Sequence, residues 1–194
     1  SEIFGHAQES VQTEETQFNP TSPYGVCKAF CVQMGKVYRS GYGMYVSNGI
    51  LYNHESPRRG ENFVTQKIVR GAASISKGKS EFLELGNLDI ERDWGYAPDY
   101  VRGMWMMLQQ EQADDYILAN GKTHSLSAFL KLSFEYFGLD YENYIRINPK
   151  FVRPNEPTRL SGDSSKAQKI LGWKPSVPFA EIVQKMCEAA EREK

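Results

Sequence analysis

A tyrosine and a lysine stand four residues apart in Ser22-Pro23-Tyr24-Gly25-Val26-Cys27-Lys28, and a glutamate, Glu2, lies upstream in Ser1-Glu2-Ile3-Phe4-Gly5. A phenol, an ammonium and a carboxylate are the groups needed to move protons around a carbinol being oxidised. Tyrosine ordinarily keeps its proton up to pH ~10, and a neighbouring lysine favours the phenolate, so the pair can serve as a base. Positions i and i+4 share a helix face, so both side chains can point into one small volume. A Y-x-x-x-K pair by itself fits a surface helix with a solvated lysine equally well. Its weight depends on what the rest of the chain supplies.

The elements that would position these groups can be read in order. Ser22 can cap a helix whose first turn takes Pro23 and which runs to about Arg39 before Ser40-Gly41-Tyr42-Gly43. Met44 to Leu51 is apolar enough for a buried strand, and Tyr52 to Gly60 reads as a polar loop. Asn62 is the expected cap of a second helix, with Phe63, Ile68, Val69, Ala72 and Ile75 at helical spacing. Phe82 to Leu85 reads as a short strand, and Arg92 to Tyr96 as a strand or turn. Pro98-Asp99 opens a helix through Leu108, whose Met104–Met107 run is a buried helix face. Tyr116 to Ala119 is a strand, and Ser125 caps a helix reaching Phe137. Residues 140–163 are irregular. Ser164 to Leu171 and Pro178 to Arg192 close the chain as helices. Strands alternating with helices argue for an α/β fold.

Composition narrows the classes. Of 194 residues, 40% are hydrophobic and 24% charged, as in soluble globular domains, and the net charge of -1 gives no footprint for nucleic acid. No apolar run approaches the ~20 residues of a membrane helix. The first residues carry no signal-peptide pattern. Cys27, Cys31 and Cys187 form no metal-ligand spacing and no disulfide framework, so we expect reduced, buried thiols in a cytoplasm and no metal. No glycine-rich phosphate loop is present. The chain opens within what reads as an active-site loop.

The segment Asn48 to Thr65, with Asn53-His54-Glu55-Ser56-Pro57-Arg58-Arg59-Gly60 at its centre, resembles the signature loop of the GDP-mannose 4,6-dehydratases, members of the extended short-chain dehydrogenase/reductase family. The likeness continues through Ser1 to Gly5, Ser22 to Lys28, Leu85 to Asp89, Arg92 to Gly95, Trp105 to Gln109, Arg153-Pro154 with Glu156, and Leu171 to Pro175. The resemblance implies the C-terminal part of a doubly wound, Rossmann-like parallel sheet with a smaller α/β substrate-binding cap domain. Residues 1–60 would belong to the NADP-binding domain. Residues 61–194 would mainly bind the GDP-sugar, with some segments returning to the sheet.

The implied chemistry is oxidation at C4 of the mannose of GDP-mannose by NADP, loss of water across C5 and C6, and return of the hydride to C6. Tyr24 matches the base at the C4 hydroxyl, Lys28 the lysine that supports it and holds the nicotinamide ribose, and Glu2 the base at C5. His54 and Arg59 match cofactor contacts. Asn53, Arg59, Lys67, Arg92, Arg153 and Glu156 match positions that hold GDP-mannose. Family members associate as dimers or tetramers, so a homo-oligomer is implied.

The chain also departs from the family pattern. The residue that would polarise the C4 hydroxyl falls immediately before Ser1, and the glycine-rich N-terminal half is not in the sequence. Tyr52, Gln66 and Tyr96 replace the usual phenylalanine, arginine and histidine, and 139–151 is shortened. Two readings therefore compete: part of a dehydratase completed elsewhere, or a non-catalytic nucleotide-sugar-binding module. A related epimerase or reductase is the variant within the enzyme class. Glu2 favours the dehydratase, because a simple reductase needs no base at C5.

Overall fold

The computed structural model describes residues 1–152 and 155–193. The chain divides into two compact units. One comprises Ser1–His54, Arg92–Thr123 and Asn155–Ser176. The other comprises Glu55–Glu91, His124–Pro154 and Val177–Lys194.

The first unit is built on a parallel pair, β1 (Asn48–Leu51) and β5 (Asp115–Leu118), in register from Asn48 opposite Asp115 to Leu51 opposite Leu118. Successive side chains on a strand point to opposite faces. Ile50 and Ile117 accordingly join Ile3, Phe4, Val32, Tyr52 and Ala119 in one cluster. Tyr116 and Leu118 join Tyr100, Met107, Leu171 and Trp173 in another. The first cluster includes a residue of α1 (Pro23–Tyr42). The second includes residues of α3 (Ala97–Met107) and α5 (Ser165–Leu171). A parallel pair covered on both faces is the Rossmann-like α/β arrangement. A second sheet has β4 (Glu91–Tyr96) between β2 (Asn53–Glu55) and β6 (Thr123–Ser125), with β8 (Arg159–Leu160) also paired to β4.

Helix α1 starts as its sequence dictates. Ser22 Oγ accepts from the Gly25 N–H at 3.0 Å and Pro23 occupies the first turn. The helix ends at Gly43, in the left-handed conformation at φ 64°. Asp115 locks its far half to the sheet. Its carboxylate takes Arg39 Nη1 at 2.9 Å, Asn48 Nδ2 at 2.7 Å and Lys36 Nζ at 3.3 Å. Burial works against that charge, but these partners hold the carboxyl below its usual range. Gly35 allows the close approach: a Cβ there would stand 2.4 Å from Asn48 Oδ1.

The second unit packs α2 (Val64–Ser76), α4 (Leu126–Tyr136) and α6 (Phe179–Arg192) on one another. Ile68, Val69, Ala72, Phe129, Leu130, Phe134, Ile182, Val183 and Met186 are buried there. A parallel pair, β3 (Leu83–Leu85) with β7 (Ile145–Ile147), completes it.

Several expectations are corrected. The Met104–Met107 run is not a buried face as a whole: Met107 is buried, but Met104 and Trp105 are exposed, at 39% and 62%. The strand begins at Asn48, where pairing with β5 starts, rather than at Met44. The Tyr45 hydroxyl is instead drawn to the carbonyls of Met107 and Gln110 at 2.8 Å each. Asn62 does not cap α2, whose N-cap is Phe63 with no side-chain bond. The loop expected over 52–60 contains β2, and the irregular 140–163 contains β7 and β8. Cys27 and Cys31 are exposed on α1, because the face of that helix turned to the core is the one bearing Gly25, Val32 and Gly35. Cys187 is buried, and burial pushes its thiol up to about 12.

Candidate active site

Tyr24 and Lys28 sit in the first turns of α1, and the Lys28 ammonium stands 5.4 Å from the centroid of the Tyr24 ring. The i/i+4 reading is thus realised in space. The Tyr24 side chain is largely exposed, at 61%. Glu2 reaches the same turn by backbone contact. Its carbonyl oxygen lies 2.6 Å from where a Cβ on Gly25 would stand. Only a residue without a Cβ lets the Glu2 segment settle against the helix at that point. The segment is held from behind by the Asn19 N–H, which donates to the Ile3 carbonyl at 3.1 Å, and by burial of Ile3 and Phe4. Gly25, beside Tyr24, escaped the sequence reading because the residue it accommodates lies 23 positions away.

His54 and Asn53 lie on β2. The His54 Nδ1 is 2.8 Å from the Tyr52 carbonyl and the ring stacks on Tyr100 at 4.9 Å. Asn53 is half-buried. Arg92, on β4, is 5% exposed. It donates to Glu156 Oε1 and to the Pro157 carbonyl, both at 2.9 Å. Two positions with a shared expected role are therefore an ion pair with a buried arginine. The neighbouring Asp93 is fully buried and accepts the N–H groups of Asn120 and Gly121 at 2.7 and 2.8 Å. Burial outweighs these bonds and pushes its carboxyl up to about 6.

In the second unit, the Arg59 guanidinium lies 3.7 Å from the centroid of Phe63 and its Nε 3.3 Å from Glu55 Oε2. Glu55 is 1% exposed and accepts the Thr65 hydroxyl at 2.7 Å. Burial pushes its carboxyl up to about 7, against the pull of Arg59 and Thr65. The available signal was the four-residue spacing of Glu55 and Arg59, hidden by the absence of a helix there. Lys67, on α2, donates to the Glu84 carbonyl at 2.7 Å and lies 4.0 Å from the centroid of Phe151. Arg153 lies outside the described residues. Among the described residues, no group of three or more His, Cys, Asp or Glu could hold a metal ion. No helix there is long and apolar enough to cross a membrane.

Comparison with solved structures places the same architecture beside two proteins. One is the RMD protein of Pseudomonas aeruginosa complexed with NADPH, with a TM-score of 0.85, 20% identity and coverage of 99% of this chain and 64% of that one. The other is a dTDP-glucose 4,6-dehydratase of Bacillus anthracis in complex with NAD, with a TM-score of 0.86, 20% identity and coverage of 98% and 59%. Curated relatives are nearer in sequence. GDP-mannose 4,6 dehydratase 2 of Arabidopsis thaliana is 48% identical over all of this chain and 53% of its own length. The Drosophila melanogaster and Homo sapiens enzymes of that name are 48% and 43% identical, each over 97% of this chain, and over 52% and 55% of their own lengths. The chain spans about half the length of these relatives. The family model described as GDP-mannose 4,6 dehydratase matches residues 1–186, and the chain belongs to that family.

Proposed function

We propose that this chain supplies the proton-transfer groups and part of the nucleotide-sugar site of a GDP-mannose 4,6-dehydratase, forming GDP-4-dehydro-6-deoxy-mannose with loss of water. The observation that carries the reading is the seating of Glu2 against Gly25, which brings a carboxylate-bearing residue to the turn holding Tyr24 and, one turn on, Lys28. Tyr24 takes the proton of the C4 hydroxyl, and the Lys28 ammonium stabilises the phenolate that forms. A C4 ketone acidifies the C5 hydrogen, so a carboxylate is base enough to remove it. Glu2 does this, then protonates the departing C6 hydroxyl, so the water lost carries that proton.

The cofactor of the reading is NADP, which when bound accepts the hydride from C4 and gives it back at C6. The residues present suit it. Lys28 can hold its ribose, His54 lies beside Tyr52 and Tyr100, and the Arg59 guanidinium has a planar fork that matches a phosphate. Asn53, Lys67, Arg92, Arg153 and Glu156 are assigned to GDP-mannose. Arg92 is held in place by Glu156, whose second oxygen can accept from ribose hydroxyls.

We also read the protein as a homo-oligomer, supported by Val26, Phe30 and Val37, which leave α1 with exposed apolar side chains. The free, exposed thiols of Cys27 and Cys31 fit a reducing cytoplasm. The test is dehydration of GDP-mannose by the protein carrying this chain, followed by mass. Tyr24→Phe should abolish the loss of water while leaving the fold intact, since its ring is exposed. Full turnover in that variant would remove Tyr24 from the mechanism.

A further inference from the structure

We propose that Glu55 and Phe63 are positioning residues that fix Arg59 as a preorganised receptor for a nucleotide phosphate. The inference rests on the reading of Arg59 as a cofactor contact and deepens it. A loop arginine left to itself samples many rotamers, and immobilising it on binding costs side-chain entropy. Here the cost is met by the fold before any ligand arrives. The Arg59 N–H donates to the Ser56 carbonyl at 2.9 Å, which sets the turn. Glu55 Oε2 stands 3.3 Å from Nε, and the Phe63 ring underlies the guanidinium plane at 3.7 Å. One edge and one face of the plane are thereby occupied.

Among the described residues the two Nη nitrogens donate no hydrogen bond, which leaves them available to grip a phosphate bidentately. Glu55 is a stiff support. It is buried, and the Thr65 hydroxyl holds the same oxygen that faces Arg59. Among the described residues Nε makes no hydrogen bond, so the contact with Glu55 is electrostatic and orients the plane without consuming an outward donor. Phe63 is 48% exposed, and the guanidinium lies over one face of its ring.

The test uses the protein carrying this chain, labelled with 15N-arginine, in wild type and in Glu55→Gln, Phe63→Leu, Arg59→Ala and the double variant Glu55→Gln/Arg59→Ala. Glu55→Gln keeps the volume and the bond to Thr65 and removes the charge. The first readout is hydrogen exchange at the Arg59 Nε–H, which a merely structural role for Glu55 would not move. The second is NADP+ binding by titration. We expect exchange to quicken and NADP+ affinity to fall about tenfold in Glu55→Gln, the size of one charge-assisted contact. Phe63→Leu should act in the same direction. In the Arg59→Ala background Glu55→Gln should change affinity no further.

Unchanged exchange and affinity in Glu55→Gln and Phe63→Leu would overturn the positioning role while leaving the reading of Arg59 standing. An affinity untouched by Arg59→Ala, or no saturable binding in wild type, would overturn that reading, and the exchange readout would then decide the clamp alone. Additive effects of Glu55→Gln and Arg59→Ala would overturn the claim that Glu55 acts through Arg59.

Discussion

Replacing Gly25 with alanine separates the placement of Glu2 from the chemistry of Glu2 and Tyr24, because it alters neither side chain. The new Cβ would stand 2.6 Å from the Glu2 carbonyl oxygen, 3.0 Å from the Pro20 Cβ and 3.3 Å from the Glu2 carbonyl carbon. Ordinary contact begins near 3.4 Å, so the Glu2 segment must retreat by roughly 0.8 Å. The nearest neighbour is backbone, and cannot swing aside as a long side chain would. Overpacking of this kind costs about 1–3 kcal/mol, set against about 0.5–1 kcal/mol gained by placing alanine rather than glycine in a helix. The net loss of stability is therefore at most about 2.5 kcal/mol, and the protein remains folded. A misplacement approaching 1 Å at a reacting group costs about 10²-fold in rate, so turnover should fall roughly 30- to 100-fold. Gly41→Ala is the control. It lies on the same helix with no atom within 4 Å of the added Cβ, and should gain up to about 1 kcal/mol with turnover unchanged. Dehydration of GDP-mannose and thermal melting would be measured side by side. Equal turnover in Gly25→Ala and Gly41→Ala would refute the claim that Glu2 works from its seat on α1.

Three further outcomes follow from the packing. Glu55 and Asp93 have folded values of about 7 and about 6, above the ordinary 4.5 and 3.8, because both are buried. Raised values mean that the fold binds more protons than the unfolded chain, so each destabilises as pH climbs through its window, between about 4 and 7. Relative to wild type, Glu55→Gln should therefore gain up to about 3 kcal/mol of stability between pH ~4 and pH ~8 in urea unfolding, and a variant that loses stability relative to wild type over that rise would contradict the sign. Gly35→Ala should cost about 1–3 kcal/mol by pressing α1 off the Asn48 side chain; a neutral effect on melting would mean that helix and strand are not in contact there. Arg92→Ala should cost about 2–4 kcal/mol, since it strips Glu156 and the Pro157 carbonyl of their donor, and a loss within 0.5 kcal/mol would mark the pair as solvated.

What could be read from the sequence was what local rules specify. Ser22 and Pro23 located the start of α1, Ser125 that of α4, and the spacing of apolar residues found α2. The short strands β2 and β6 stayed hidden because Asn-His-Glu and Thr-His-Ser carry no apolar alternation; β4, to which they pair, supplies the reason they are strands. The start of β1 was misjudged because its pairing begins at Asp115, 67 residues from its partner Asn48. The site divides in the same way. Tyr24 with Lys28 was legible from spacing. Gly25, Glu55, Thr65 and Asp93 were not, because each matters through a neighbour fixed only by the fold.

The most direct test follows one hydrogen. GDP-mannose deuterated at C4 is given to the protein carrying this chain, and the position of the label in the product is determined by magnetic resonance and mass. The account predicts deuterium at C6 and one water lost, with Tyr24→Phe and Glu2→Gln each blocking product. Deuterium released to solvent or kept at C4 of a dehydrated product would contradict it.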